Sequence, residues 1–139
     1  RLTETFDSLF GTIFVVGLSL SAVALLVGGV GVVAIMMISV TERTREIGVR
    51  KALGATRAIV LWQFLVEAAT LTTIGAIVGL VAGAGVSALI RNLSPIDASI
   101  PPTAVVLALG ASALTGILFG MLPAARAARL DPVEALRYE

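Results

Sequence analysis

Three apolar runs divide the chain. From Ser8 to Thr41 no residue is charged, from Ala58 to Ile90 only Glu67 is, and a third uncharged run joins Pro102 to Leu122. Each is long enough to cross a bilayer as a helix, which takes about 20 apolar residues. The first is too long for one crossing. As a continuous helix it would measure roughly 50 Å at 1.5 Å per residue, against a hydrocarbon core of about 30 Å. Leu2, Phe6, Leu9 and Phe10 recur at helical spacing. The reading favoured here is a stalk that rises out of the membrane and turns these side chains to a second helix. The competing one is a long span kinked at Gly28, Gly29 and Gly31.

Between the first two runs lies TERTREIGVRKALGAT, Thr41 to Thr56, with charge at six of the ten positions from Glu42 to Lys51. Its order is helical. Glu42 precedes Arg45 by three residues and Glu46 precedes Arg50 by four, the acid-first arrangement that helices favour. Val49, Ala52 and Leu53 share one face, and Gly54 is placed to end the helix or turn a corner. The pattern predicts a short amphipathic helix at a membrane surface. Two roles are open to it: a basic loop that sets topology, or a docking helix that transmits movement to a cytosolic partner.

The second run has Trp62 near its start, where an indole suits the headgroup zone. Gly75, Gly79 and Gly83 form a GxxxGxxxG row, and Gly116 and Gly120 repeat the pattern in the third run. Such rows let helix backbones approach closely in lipid, so packing is their first reading. Glu67 is the one carboxylate inside a span. A buried charge there would signal function, but Glu67 is close enough to Arg57 to sit at the interface or to bond a neighbouring helix. The hydroxyls of Ser19, Ser21, Thr70, Thr72, Thr73, Ser112 and Thr115 read as back-bonding or helix–helix groups. Arg91 to Pro102 is a short turn-rich connection, and Pro123 is expected to end the third helix. In the tail, Asp131-Pro132-Val133-Glu134 has the form of an N-cap, proline at the first helical position and an acid at the third. A final surface helix carrying Val133 and Leu136 should follow.

Composition agrees with lipid as the solvent. The chain is 58% hydrophobic and 14% charged, with a mean hydropathy of +1.03, far from the roughly 25% charged residues of soluble domains. The net charge of +1 points to neither nucleic acid nor an acidic substrate. Its distribution is more informative. Arg43, Arg45, Arg50, Lys51 and Arg57 flank the polar stretch, Arg126, Arg129 and Arg137 lie in the tail, and only Arg1 and Arg91 fall on the other side. The positive-inside rule then makes the polar stretch and the C-terminus cytosolic. The expected fold is an all-α membrane protein: three transmembrane helices, with a cytosolic amphipathic coupling helix between the first and second. Residues 1–13 are the end of an extracytoplasmic stalk helix, 14–40 the first span and 41–57 the coupling helix. Residues 58–90 are the second span, 91–101 a short extracytoplasmic loop, 102–123 the third span and 124–139 a cytosolic tail. The opening residues resemble mid-helix sequence without a signal peptide, so the chain is read as the C-terminal part of a longer polypeptide.

Chemistry of its own is not encoded in recognisable form. Cysteine and histidine are absent, which removes disulfides, thiolate and imidazole metal sites and histidine-based catalysis. There is no G-x-x-x-x-G-K-[ST], no H-E-x-x-H and no G-x-S-x-G. The expectation is a membrane subunit with no catalytic, cofactor-binding or metal-ligating residues.

Taken together, GGVGVVAIMMISVTERTREIGVRKALGAT and the terminal PAARAARLDPVEALRYE resemble the FtsX-like permease family. Within it they are most similar to the permeases of MacB-type ABC transporters. The resemblance covers nearly the whole chain, and TERTREIGVRKALGA is its specific part. It implies a dimeric bacterial inner-membrane permease paired with an ATP-binding cassette subunit or domain, which would hold the ATP and magnesium. A periplasmic adaptor and membrane lipid are further partners that it implies. It also implies mechanotransmission, in which ATP-driven closure of the cytosolic subunits moves a coupling helix and the long first helix carries that motion outside, for efflux or envelope transport. The coupling segment would comprise Glu42, Arg43, Arg45, Glu46, Ile47, Val49, Arg50, Lys51, Ala52 and Leu53. Val49, Ala52 and Leu53 would supply its buried contact with the ATPase. A regulator that signals to an extracytoplasmic partner without transporting is the alternative within the family.

Overall fold

In the computed structural model, which describes residues 2–93 and 100–137, nearly all of the described residues are helical. Among the described residues five α-helices follow one another: α1 (Leu2–Glu42), α2 (Thr44–Ala52), α3 (Arg57–Leu93), α4 (Pro102–Arg129) and α5 (Pro132–Arg137). Three of them, α1, α3 and α4, are long and apolar enough to cross a membrane.

α4 is the centre of the bundle. It packs along α3 and against the C-terminal part of α1, while α1 and α3 barely touch. The α3–α4 contact is built on small residues. A Cβ on Gly120 would collide with the Ala68 methyl, and one on Gly116 would meet the Thr72 hydroxyl and come within 2.9 Å of the Ala68 carbonyl oxygen. Ser112 donates across the same seam to the Thr72 carbonyl at 2.6 Å. Gly29 of α1 lies against the ring of Phe119, whose Cδ2 and Cε2 would lie 2.5 Å from a Cβ there. The glycine row of α3 has no such role among the described residues: Gly75, Gly79 and Gly83 have open space around them there.

The buried core lies toward one end. Val32, Met36 and Val40 of α1, Ile47 of α2, Val60, Phe64 and Ala68 of α3, and Ala124, Ala127 and Ala128 of α4 form one cluster. From Phe6 to Gly28, α1 touches almost nothing among the described residues outside its own helix, and its apolar side chains are exposed. It continues unbroken through Gly28, Gly29 and Gly31. Most of the other hydroxyls close onto their own helix: Ser19, Ser21, Thr70, Thr72, Thr73 and Thr115 each donate to a carbonyl three or four residues back. That satisfies a hydroxyl without a partner helix.

Several expected boundaries move. Pro123 does not end the third helix, which continues to Arg129. An interior proline removes one backbone hydrogen bond and clashes with the preceding turn. Within a helix bundle, neighbouring elements can compensate, and Pro123 is fully buried in the core. The first six residues assigned to the tail are therefore helix. α3 begins at Arg57 and takes in Arg91, Asn92 and Leu93 from the expected loop, whose residues 94–99 lie outside the described residues.

Candidate functional site

The polar stretch folds into α2 and two corners. Glu42 ends α1, and Arg43, at φ −101° and ψ 14°, breaks the helix before α2 starts at Thr44. The expected helix from Glu42 to Leu53 is thus shorter at both ends. Thr44 donates its hydroxyl to the Val40 and Thr41 carbonyls, both at 2.9 Å, which holds the corner. At the other end Gly54 has φ +102°, its N–H reaches the Lys51 carbonyl at 3.0 Å, and the Ala55 N–H reaches that of Arg50 at 3.0 Å. This is a Schellman ending, and glycine supplies the left-handed residue it requires.

Of the two expected charge pairs, Glu46–Arg50 forms. No ion pair joins Glu42 to Arg45 among the described residues, because the break at Arg43 takes them off one helical repeat. Arg50 also donates to Gln63 Oε1 at 2.9 Å, which ties α2 to the first turns of α3. Arg43 approaches Glu67 at 3.7 Å. Glu67 thus pairs with a neighbouring segment, one of the roles open to it. Both partners are half-exposed, and such a pair adds little to stability. Glu67 also borders an open groove of about 450 Å³ between α1 and α3, lined by Met36, Ser39 and Leu71 among others.

α2 has two dissimilar faces. Thr44, Ile47 and Gly48 are buried, and Gly48 lies against Ala135 of α5. Val49 is 42% and Leu53 84% exposed, and Glu42, Arg45 and Ala52 are exposed as well. Lys51 points inward and donates from Nζ to the carbonyls of Ala128, at 2.8 Å, and of Leu130. α5 starts as its sequence predicts, with Asp131 Oδ1 accepting from the Val133 N–H at 2.8 Å. The roles of Lys51, Gly48 and Gln63 in joining elements were not read from the sequence. Gly48 carried a signal, since a glycine inside a charged helical run marks close backbone approach. The two carbonyls that receive Lys51 carry none.

Residues 8–132 match the family model described as FtsX-like permease C-terminal. The ABC transporter permease YknZ of Bacillus subtilis is 53% identical over 121 residues, which is 87% of this chain and 30% of that protein. The macrolide export ATP-binding/permease protein MacB of Wolinella succinogenes is 53% identical over 122 residues, 87% of this chain and 19% of its own. MacB of Syntrophobacter fumaroxidans is 46% identical across all 139 residues, again 19% of its length. The chain thus spans about a fifth to a third of the curated relatives it matches. With a match over nearly its whole length and three apolar helices in order, the chain belongs to the FtsX-like permease C-terminal family.

Proposed function

We propose that the chain is a membrane-spanning part of an ABC transporter permease of the MacB type, with α2 as its contact to an ATP-binding cassette subunit or domain. The observation that carries the reading is the asymmetry of α2. One face is held by its own chain, while Val49 and Leu53 stand bare beside Arg45, which has no partner among the described residues. An exposed Leu53 at a membrane surface is an apolar anchor awaiting a pocket, and surrounding charges set register and encounter rate more than affinity. The names of the relatives, permease and ATP-binding/permease protein, supply the class of partner.

In this reading the end that carries α2 and α5 faces the cytosol of a bacterial inner-membrane protein. ATP and magnesium belong to the partner, and this chain performs no hydrolysis. Closure of two ATPase subunits moves α2, and the long α1 carries movement to the opposite side, which is mechanotransmission. Two permease copies act together, and a periplasmic adaptor and the surrounding lipid complete the assembly. Gly75, Gly79 and Gly83, which meet nothing among the described residues, are available to pack a further helix.

The test is a photoreactive residue placed in turn at positions 42–53 of the full-length protein in native membranes. Crosslinks to a nucleotide-binding subunit from positions 49 and 53, sensitive to ATP, are expected. Crosslinks to lipid headgroups alone would overturn the transporter reading in favour of a membrane regulator or scaffold.

A further inference from the structure

α2 is seated on the end of α4 and on α5. The Lys51 ammonium donates to the carbonyl oxygens of Ala128 and Leu130. These belong to the last turn of α4 and its cap, where carbonyls lack intrahelical donors and the helix dipole favours a cation. One turn earlier, a Cβ on Gly48 would stand 2.6 Å from that of Ala135, which is itself 1% exposed. The two contacts lie on the buried side of α2 and leave Val49 and Leu53 free. The link to α1 is of another kind. The chain passes through the non-helical Arg43, where the Thr44 hydroxyl donates to the Val40 and Thr41 carbonyls, and α2 packs far more closely on α5 than on α1. α4, in turn, grips α1 where Phe119 covers Gly29 and where Gly120 nears Met36.

We propose that Lys51 is a positioning residue that locks α2 to the end of α4 and to α5. These three segments move as one body, and load taken up by α2 enters the bundle through α5 and the end of α4, alongside the Arg50–Gln63 link to α3, before it reaches α1. The corner at Arg43 then follows α2 and does not drive α1, and the C-terminal helix α5 is a structural part of the coupling unit. The load path rests on the reading of α2 as the ATPase contact; the seat itself does not.

The experiment uses the full-length permease with its ATPase, with other cysteines removed. This chain contributes none. Gly48→Cys with Ala135→Cys should form a disulfide after a separation of about 1 Å, since bridged Cβ atoms stand about 3.8 Å apart. The locked protein should stimulate ATP hydrolysis as well as its reduced form. Lys51→Met should lower stimulation about tenfold, the usual weight of a charge-assisted hydrogen bond, and Lys51→Arg should restore most of it. Insertion of Gly-Gly after Arg43 should be tolerated. Failure of the disulfide to form would overturn the seat. Loss of stimulation on oxidation, regained on reduction, would overturn the single moving body. Loss on the Gly-Gly insertion with Lys51→Met unaffected would assign the path to α1 and overturn the proposal. If Arg45→Glu and Leu53→Asp left stimulation unchanged while the disulfide formed, the ATPase contact and the load path would fall and the seat would stand.

Discussion

Glycine has opposite meanings at two places in this chain, and a single side chain separates them. Gly116 and Gly120 are buried where α3 and α4 meet, with Ala68 and Thr72 in the space a Cβ would need. Gly79 has nothing within 4 Å. Both rows have the same small-xxx-small spacing, so the sequence identified packing surfaces without saying which was internal. Gly116→Leu should force α3 and α4 apart and destabilise the fold by about 1–3 kcal/mol, the usual cost of overpacking. Gly79→Leu should leave the stability of the isolated chain unchanged and disturb only its association. Thermal unfolding in detergent, alongside size-exclusion of the same samples, separates the two effects. A fall in unfolding temperature for Gly79→Leu equal to that for Gly116→Leu would show that the α3 row packs internally.

Elements were legible in proportion to how local their causes are. The three long helices follow from hydrophobic run length, the α2 corner from Gly54, and the start of α5 from Asp131 and Pro132. What was missed depends on tertiary partners. Pro123 reads as a helix end on local grounds, yet the bundle buries it within α4. The Glu42–Arg45 spacing reads as a helical pair, yet the chain turns at Arg43 between them. The inward face of α2 was equally hidden, because Ala135 and the Ala128 carbonyl are far away in sequence. The outward face can be tested by itself. Arg45 is exposed and has no partner among the described residues, whereas Arg50 already serves Glu46 and Gln63. Arg45→Glu should therefore lower ATPase stimulation while leaving expression and unfolding unchanged, with an effect that shrinks as salt rises and screening shortens the reach of charge. A steady-state ATPase assay at two ionic strengths reads this. An equal loss at both would point to misfolding instead of a lost charge contact.

At the scale of the whole molecule, α1 decides how far movement could be carried. Its 41 residues make a rod about 60 Å long, twice the hydrocarbon thickness. Only its C-terminal part is held, by α4 from Gly29 and Val32 onward. If the Arg43 end lies at one interface, about 20 residues of rise bring the helix to the other, near residue 20. The remaining turns would then stand in water. Exposed Phe6, Leu9, Phe10 and Phe14 are too apolar to stand there alone, and a second helix laid along them would cover them. Single cysteines at Ser8 and Thr12 should react with a membrane-impermeant thiol reagent from the side opposite to a cysteine at Arg45. Cysteines at Val23 and Val27 should stay protected. The intervening residues are helical without interruption, so the boundary should be sharp, within one or two turns. Protection of positions 8 and 12 equal to that at 23 and 27 would mean that α1 lies tilted within the bilayer for its whole length. A tilted α1 could not act as a stalk, and movement delivered to its held end would stop in the membrane.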